Sequence, residues 1–233
     1  MPSPIVVFSD FDGTIARPDP VDLLLDRLAD PEWRVVEERW ARGEIGSREC
    51  MARQIPLIRG GWEAIVSVLA TVEVDPSFAG FSIWCREHGI PLHVVSEGLD
   101  RVIHHLLGRD GITVSSVRAN QLVDSPSGEL SIRFPYEVSG SCSAGLCKCS
   151  IVRGEAGERS SVLIGDGQSD FCAAGEARYV FARGSLLRHC RANGIHCLPF
   201  DGFGAVQQVL SARIGEPALG GGTADGAGPD ATA

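Results

Sequence analysis

The sequence contains a single lysine, Lys148, and its other basic side chains are all arginine or histidine. No run of Lys or Arg occurs, and the formal net charge is −9. A nucleic-acid-binding domain would show a basic patch or stripe, so we predict that this protein has no nucleic-acid partner. Because a random surface position in this chain would more often hold Arg, Lys148 is a candidate functional residue.

Long apolar runs are missing as well. No stretch approaches the roughly 20 apolar residues of a membrane-spanning helix, and residues 1–9 lack the basic start and small-residue cleavage site of a signal peptide. We therefore expect a cytoplasmic protein with no membrane partner. The composition, 44% hydrophobic and 22% charged in 233 residues, is typical of a globular chain with one sizeable core and room for a small second domain. The composition is compatible with either a monomer or a homodimer.

The chain has eight cysteines, and without an export signal we expect free thiols rather than disulfides. Cys142, Cys147 and Cys149 differ from the others because they cluster in one loop. Their spacing is not the paired Cys-x2-Cys of common zinc sites, so thiols in a packed loop are the favoured interpretation. A structural Zn²⁺ with a nearby His or Cys as fourth ligand is the alternative.

The order of apolar patterns predicts the domain organisation. Strand patterns alternate with helix patterns over most of the chain, which indicates an α/β fold with a doubly wound, mostly parallel, Rossmann-like sheet. Residues 17–74 interrupt this alternation with four helical patterns in succession, and we interpret them as an all-helical cap. Residues 1–16 and 75–213 then form the core. Residues 214–233 contain almost no large apolar side chain, so we predict a disordered tail.

Several short strands are predicted after the first one, Ile5–Ser9. Residues 92–95 form a strand that stops before Ser96-Glu97-Gly98, and residues 112–117 form the next. Residues 122–123 and 130–134 are typical of a small hairpin, and residues 161–164 form a buried strand that ends at Gly165-Asp166.

Carboxylates follow two of these strands. Asp10 and Asp12 leave the first strand on the same side, and Asp166 and Asp170 follow the strand at 161–164. If the two strands are neighbours, four carboxylates meet, and like charges about 4 Å apart repel by roughly 4 kcal/mol at an effective dielectric near 20. Such a cluster requires a cation, and hard oxygen ligands favour Mg²⁺.

Four motifs in this order resemble those of the haloacid dehalogenase superfamily of phosphohydrolases. They are Asp-x-Asp-x-Thr at 10–14, a serine at Ser96, a lysine at Lys148, and Gly-Asp-x-x-x-Asp at 165–170. The resemblance covers about residues 4–210. It implies that Asp10 is a nucleophile that forms an aspartyl-phosphate, and that Asp12 is first the general acid and then the general base.

The same resemblance implies two sets of binding residues. Mg²⁺ would be held by Asp10, the backbone carbonyl of Asp12, and Asp166, with Asp170 supporting either the metal or Lys148. The phosphate group would be held by Thr14, Ser96, Lys148 and the backbone N–H of Glu97. Positioning and neutralisation of charge are the main requirements of phosphoryl transfer, and these groups supply both.

The helical insert resembles the cap of the phosphoserine phosphatase-like branch, and in particular the 2-hydroxy-3-keto-5-methylthiopentenyl-1-phosphate phosphatase group. The segments that carry this resemblance are 33–48, 96–100 and the Cys-rich approach to Lys148. The sequence departs at Glu97, where the phosphoserine phosphatase-like branch usually has Gly. A carboxylate here would repel a phosphate unless it points away or contacts a basic or hydroxylated group.

We therefore expect a Mg²⁺-dependent phosphatase that acts on a small phosphorylated metabolite. One alternative is a phosphotransferase or mutase that uses the same aspartyl-phosphate. The other is a non-catalytic protein of the same fold that binds a metabolite or zinc.

Overall fold

A computed structural model describes residues 3–125, 128–136 and 144–214, and within these ranges the chain forms nine strands, ten α-helices and two 3₁₀ helices (Ile55–Leu57 and Gln168–Asp170). The strands are β1 (Ile5–Ser9), β2 (Ala16–Arg17), β3 (Glu73–Val74), β4 (Leu92–Leu99), β5 (Ser116–Asp124), β6 (Leu130–Arg133), β7 (Ser160–Gly165), β8 (Tyr179–Ala182) and β9 (Leu198–Pro199). The helices are α1 (Pro20–Leu28), α2 (Trp33–Ala41), α3 (Ser47–Gln54), α4 (Gly61–Leu69), α5 (Phe78–Glu87), α6 (Asp100–Arg109), α7 (Lys148–Ala156), α8 (Phe171–Ala174), α9 (Gly184–Ala192) and α10 (Phe203–Ile214). Cys142 and residues 215–233 of the predicted tail lie outside the described residues, and residue 214, the first of the predicted tail, ends α10.

The main sheet has the strand order β6-β5-β4-β1-β7-β8-β9 in the described part of the chain. Its strands run parallel except for β6, which pairs antiparallel with β5 at the edge. All five residues of β1 are buried, as expected for a central strand that is covered on both faces. The predicted doubly wound, mostly parallel sheet is confirmed.

Side chains of β1 alternate between two apolar layers. Ile5 and Val7 belong to the larger core cluster, together with residues of α5, α6 and α10. Val6 and Phe8 belong to a second cluster with residues of α7, α8 and α9. A period of two along a strand sends neighbouring side chains to opposite faces, so helices must cover both faces of the sheet.

Two strand boundaries differ from the sequence prediction. Strand β4 continues to Leu99, and its pairing with β5 shifts between Val95 and Leu99, so Ser96-Glu97-Gly98 lies in an irregular strand segment and not in a loop after the strand. Strand β5 replaces both the strand predicted at 112–117 and the first arm of the hairpin. Its first half pairs with β4 and its second half with β6, so one long strand serves both partners.

Helices α1 to α4 form the segment that the sequence predicted as a cap. Asp19 caps α1 by accepting hydrogen bonds from the N–H groups of Val21 and Asp22 at 2.8 and 3.1 Å, with Pro20 at the first position. The segment begins and ends at an antiparallel ribbon in which β2 pairs with β3. No helix in the described ranges has both the length and the apolarity needed to cross a membrane.

Candidate active site

The carboxyl ends of β1, β4 and β7 meet at one edge of the sheet. Strand β1 pairs with β4 on one side and with β7 on the other. Asp10 therefore follows β1, between Ser96 of β4 and Asp166, which follows β7. This is the crevice in which open α/β sheets bind ligands.

Lys148 lies at the centre of this crevice as the first residue of α7, and only 2% of it is exposed. Its Nζ lies 2.8 Å from Asp10 Oδ1 and 2.7 Å from Asp170 Oδ1, and it donates a third bond to Ser169 Oγ at 2.9 Å. Burial alone would lower the pKa of Lys148, but the two carboxylates outweigh it and raise the pKa. The ammonium therefore stays charged and neutralises part of the acidic cluster.

Asp12 is paired with Ser96, which donates to its Oδ2 at 2.5 Å. The Ser96 oxygen in turn accepts from the N–H of Gly98 at 2.8 Å. Burial raises the pKa of Asp12, and the bond from Ser96 partly opposes that rise. Oδ1 of Asp12 is buried and has no hydrogen-bond partner among the described residues, so it is available to a group that enters from the cavity.

Gly98 is needed for this pairing because its backbone lies directly against Asp12. A Cβ at this position would collide with Oδ2 of Asp12 and approach its Cγ to 2.9 Å. Gly165 has the same relation to Asp170, whose Cγ would lie 2.6 Å from an added Cβ. Gly98 and Gly165 therefore provide room for the carboxylates of Asp12 and Asp170.

The carboxylates of Asp166 and Asp170 each accept hydrogen bonds from a nearby turn. Thr14 donates its hydroxyl to Asp166 Oδ1 at 2.5 Å, and Oδ2 of Asp170 accepts from the N–H groups of Asp166 and Gly167 at 3.2 and 3.3 Å. The structure thus brings Thr14 to Asp166 and not to the cavity wall, and its contact with phosphate stays a prediction. Asp170 anchors Lys148 and the turn that carries Asp166.

Asp10, Asp166 and Asp170 fit a divalent cation. One carboxylate oxygen from each lies within 4.8 Å of the other two, and the described residues contain no other group of three or more potential ligands this close together. Burial, followed by the charge of Asp170, raises the pKa of Asp10 well above its usual value, and burial also raises the pKa of Asp166. A cation would relieve this repulsion, and oxygen ligands suit Mg²⁺. The Asp12 side chain, bonded to Ser96, is not part of this group.

Glu97 lies beside a hydroxylated side chain of the helical segment. Burial raises the pKa of its half-buried carboxyl group, and the nearby hydroxyl of Ser47 in α3 opposes part of this rise. Its backbone carbonyl accepts from Asn120 Nδ2 at 2.5 Å. The carboxylate therefore contacts a hydroxylated group of the helical segment, and Asn120 fixes the backbone beneath it.

A cavity of about 220 Å³ lies between this crevice and helices α1 to α3. Asp10, Asp12, Ser96 and Asp166 form its floor. The opposite wall combines apolar with acidic side chains, namely Val21, Leu25, Trp40, Cys50 and Met51 with Asp19, Asp22 and Glu37. None of the described residues that line it is basic, so the wall disfavours a ligand with a second negative charge.

The acidic wall is the part of the cavity that the sequence analysis missed. Asp22 stays exposed at the mouth, but partial desolvation and then the charge of Glu37 raise its pKa to about 6. Glu37 is held by Gln54, whose Nε2 donates to Oε2 at 2.9 Å. No sequence signal identified these residues, because helical periodicity shows which face is apolar but not which polar residues face the cavity.

Arg183 is a second residue that the sequence analysis missed. Its Nη2 donates to the backbone carbonyls of Gly13 and Thr14, the latter at 2.7 Å. Its position directly after the buried strand β8 was the available signal.

Cys147 and Cys149 flank Lys148 at the start of α7, and their sulfur atoms lie 3.2 Å apart. Cys142, the third member of the predicted cluster, lies outside the described residues. Zinc binding by these cysteines therefore stays a prediction.

Comparisons with known proteins agree with this geometry. A sequence profile of the haloacid dehalogenase-like hydrolase family matches residues 7–175. The 2-hydroxy-3-keto-5-methylthiopentenyl-1-phosphate phosphatase of Geobacillus thermodenitrificans is 30% identical over 87% of this chain and 94% of that protein. The protein of the same name from Geobacillus kaustophilus is 32% identical over 90% and 97%. Among solved structures, a phospho-aspartyl intermediate analogue of phosphoserine phosphatase aligns with a TM-score of 0.67 at 16% identity, over 90% of this chain and 99% of the other. The resemblance that the motifs predicted is confirmed.

Proposed function

Because the chain belongs to the haloacid dehalogenase-like hydrolase family, we propose that it is a Mg²⁺-dependent phosphatase of a small metabolite with Asp10 as its nucleophile. The observation that carries this proposal is the position of Lys148, which is fully buried between Asp170 and Asp10, the latter on the floor of the cavity. A buried ammonium between two carboxylates is costly as a purely structural feature. It is well suited to neutralise a phosphate that approaches Asp10.

The residues divide the two chemical steps between them. A carboxylate oxygen of Asp10 attacks phosphorus, and the bond from phosphorus to the alcohol oxygen breaks as Asp12 gives that oxygen a proton. Water then attacks the aspartyl-phosphate and passes a proton to Asp12, and the bond from phosphorus to Asp10 breaks to release phosphate. The raised pKa of Asp12 supports its first role, because more of it is protonated near neutral pH.

Asp10 and Asp166, with the backbone carbonyl of Asp12, are the proposed ligands of Mg²⁺. When bound, the ion supplies positive charge against the phosphate oxygens. Lys148 and Ser96 are the proposed contacts of the other phosphate oxygens. Closure of helices α1 to α4 over the cavity would exclude bulk water during the reaction.

The lining of the cavity favours a substrate whose alcohol carries no second negative charge. The compound named for the 30–32% identical relatives has hydroxyl, keto and methylthio groups beside its single phosphate. Leu25, Trp40 and Met51 offer an apolar wall to a methylthio group. Phosphoserine would place a carboxylate near Asp22 and Glu37, so we propose the methionine-salvage type of substrate over the phosphoserine type.

The catalytic proposal is tested with Asp10→Asn. The wild-type protein should hydrolyse p-nitrophenyl phosphate only when Mg²⁺ is present, and the variant should lose this activity while its circular dichroism spectrum is unchanged. Asp201→Asn, at an exposed position, is the matched control and should keep full activity. Substantial activity of Asp10→Asn would contradict the mechanism. If the wild-type protein hydrolyses no compound in a broad panel of phosphorylated metabolites, a non-catalytic binding protein is favoured.

A substrate panel tests specificity separately. The values of kcat/KM should rank the methylthio substrate above phosphoserine and 3-phosphoglycerate, which carry carboxylates. A preference for phosphoserine would contradict the proposed substrate but leave the phosphatase activity intact. Transfer of phosphate to an added sugar or alcohol, in place of release to water, would identify a phosphotransferase.

A further inference from the structure

Arg183 connects two turns of the active site that come from different parts of the chain. It precedes α9 directly, and its N–H donates to the carbonyl of Gly165 at 3.2 Å, next to Asp166. Its Nη2 reaches across to the carbonyls of Gly13 and Thr14. One residue therefore contacts both the turn after Asp12 and the end of the strand that carries Asp166.

The turn at Gly13 and Thr14 is the one that holds Asp166. Thr14 donates its hydroxyl to Asp166 Oδ1 at 2.5 Å, and Gly13 approaches so closely that a Cβ would lie 2.7 Å from Oδ2 of the same carboxylate. The backbone carbonyl of Asp166 accepts from Leu186 N–H at 2.9 Å, in the helix that Arg183 precedes. Displacement of the Gly13 turn would thus displace the Asp166 carboxylate relative to Asp10.

The guanidinium of Arg183 is held in place by an aromatic side chain. Its central carbon lies 4.9 Å from the ring centroid of Phe200, which is 4% exposed, and this contact fixes its plane. The planar guanidinium then points one nitrogen at two carbonyl oxygens. A lysine ammonium on its flexible side chain would hold this geometry less rigidly. Nη1 is buried without a hydrogen-bond partner among the described residues. Such burial costs free energy, so stability alone does not explain the placement.

We propose that Arg183 is a positioning residue for the Mg²⁺ site, an inference that rests on the proposed function. By fixing the carbonyls of Gly13 and Thr14, it sets the distance between Asp10, which follows β1, and Asp166, which follows β7. It touches neither the substrate nor the metal. Loss of Arg183 weakens the binding of Mg²⁺ and leaves the substrate pocket formed by the helical segment unchanged.

The test measures Mg²⁺ binding by calorimetry on the full-length protein without substrate. Arg183→Met should raise the Kd for Mg²⁺ by about 10- to 100-fold, the usual effect of removing a group that orients metal ligands. Arg183→Lys should recover part of this loss. The KM for substrate at saturating Mg²⁺ should change by less than about twofold. Arg188→Met, at an exposed position of the same helix, is the control and should bind Mg²⁺ like the wild type.

An unchanged Kd in folded Arg183→Met overturns the inference, and so does a loss of thermal stability without any change in Kd. If Arg183→Met does not fold, Phe200→Leu is the variant that tests the inference, because it removes the aromatic ring beside Arg183 and keeps the guanidinium. We expect it to raise the Kd for Mg²⁺, and an unchanged value overturns the inference. If the wild type binds no Mg²⁺, the proposed function fails together with the inference. If the wild type and Arg183→Met bind it equally, only the inference fails.

Discussion

Ser96 Oγ lies 2.5 Å from Asp12 Oδ2, although 84 positions separate the two residues in the chain. The contact forms because β1 and β4 are parallel neighbours that end at the same edge of the sheet. It joins the first and second motifs, and it gives the serine a partner other than phosphate. The proposed acid and base is therefore oriented by the neighbouring strand before any substrate enters.

Removal of this hydroxyl should reduce the activity without unfolding the protein. A hydrogen bond to a charged group contributes about 1.5–3 kcal/mol, so Ser96→Ala should lower kcat/KM by roughly 10- to 100-fold. Ser82→Ala is the matched control, because Ser82 is also buried and donates to a backbone carbonyl, that of Thr113, away from the cavity. Equal activity of the two variants would contradict the role of Ser96.

Gly98→Ala should disturb the active site through a steric clash with Asp12. Overpacking of this kind costs about 1–3 kcal/mol, and we expect kcat to fall by at least about tenfold as Asp12 moves. Gly108, inside α6, has nothing within 4 Å of an added Cβ. Gly108→Ala should therefore keep full activity and gain about 0.5–1 kcal/mol of stability. Steady-state kinetics and thermal unfolding of both variants check this, and wild-type kinetics in Gly98→Ala would refute it.

Lys148→Met should be severely destabilising in the absence of Mg²⁺. It leaves Asp10 and Asp170 buried without their cation, and breaking a buried ion pair on one side costs about 3–5 kcal/mol. We also expect a loss of activity of at least about 100-fold. Arg153→Met in the same helix breaks an exposed ion pair with Glu176, and its effect should stay within about 1 kcal/mol. Urea unfolding measures both, and similar losses in the two variants would disprove the special position of Lys148.

Asp22→Asn should stabilise the protein in a pH-dependent way. The pKa of Asp22 is raised from 3.8 to about 6 in the folded protein, so the folded state binds a proton that the unfolded state has already lost between these values. Ionised Asp22 therefore destabilises the fold above about pH 6, and the cost disappears below about pH 4. Because Asp22 is largely exposed, we expect a gain of only about 0.5–1 kcal/mol at about pH 8.

Thermal unfolding at about pH 8 and about pH 4.5 measures this difference. The melting temperature of Asp22→Asn should exceed that of the wild type by about 1–4 °C at the higher pH, and by clearly less at the lower pH. Asp26→Asn on the same helix removes an exposed carboxylate that is paired with Arg34 at 2.6 Å, and it should not stabilise the protein. An identical gain at both pH values would exclude charge as the cause.

The class of fold and the candidate carboxylates at the strand ends could be predicted from the sequence. A short continuous apolar run such as Ile5–Ser9 is typical of a strand buried on both faces, and the motifs placed Asp10, Ser96 and Asp166 at or near the carboxyl ends of strands. Local chemistry also fixed helix starts such as that at Asp19-Pro20. These features depend on neighbouring residues and on a period of two or 3.6, which can be read along the chain.

The contacts of the polar side chains could not be predicted from the sequence and depend on the tertiary structure. It paired Thr14 with Asp166, Ser96 with Asp12 and Glu97 with Ser47, and it directed Asp22 and Glu37 into the cavity. It also merged two predicted strands into β5 and brought Arg183 to the turn after Asp12. These contacts join residues far apart in the chain, and periodicity does not encode the rotation of a helix toward a cavity. The packing of the helices and strands therefore set the chemistry of the wall above the carboxylates.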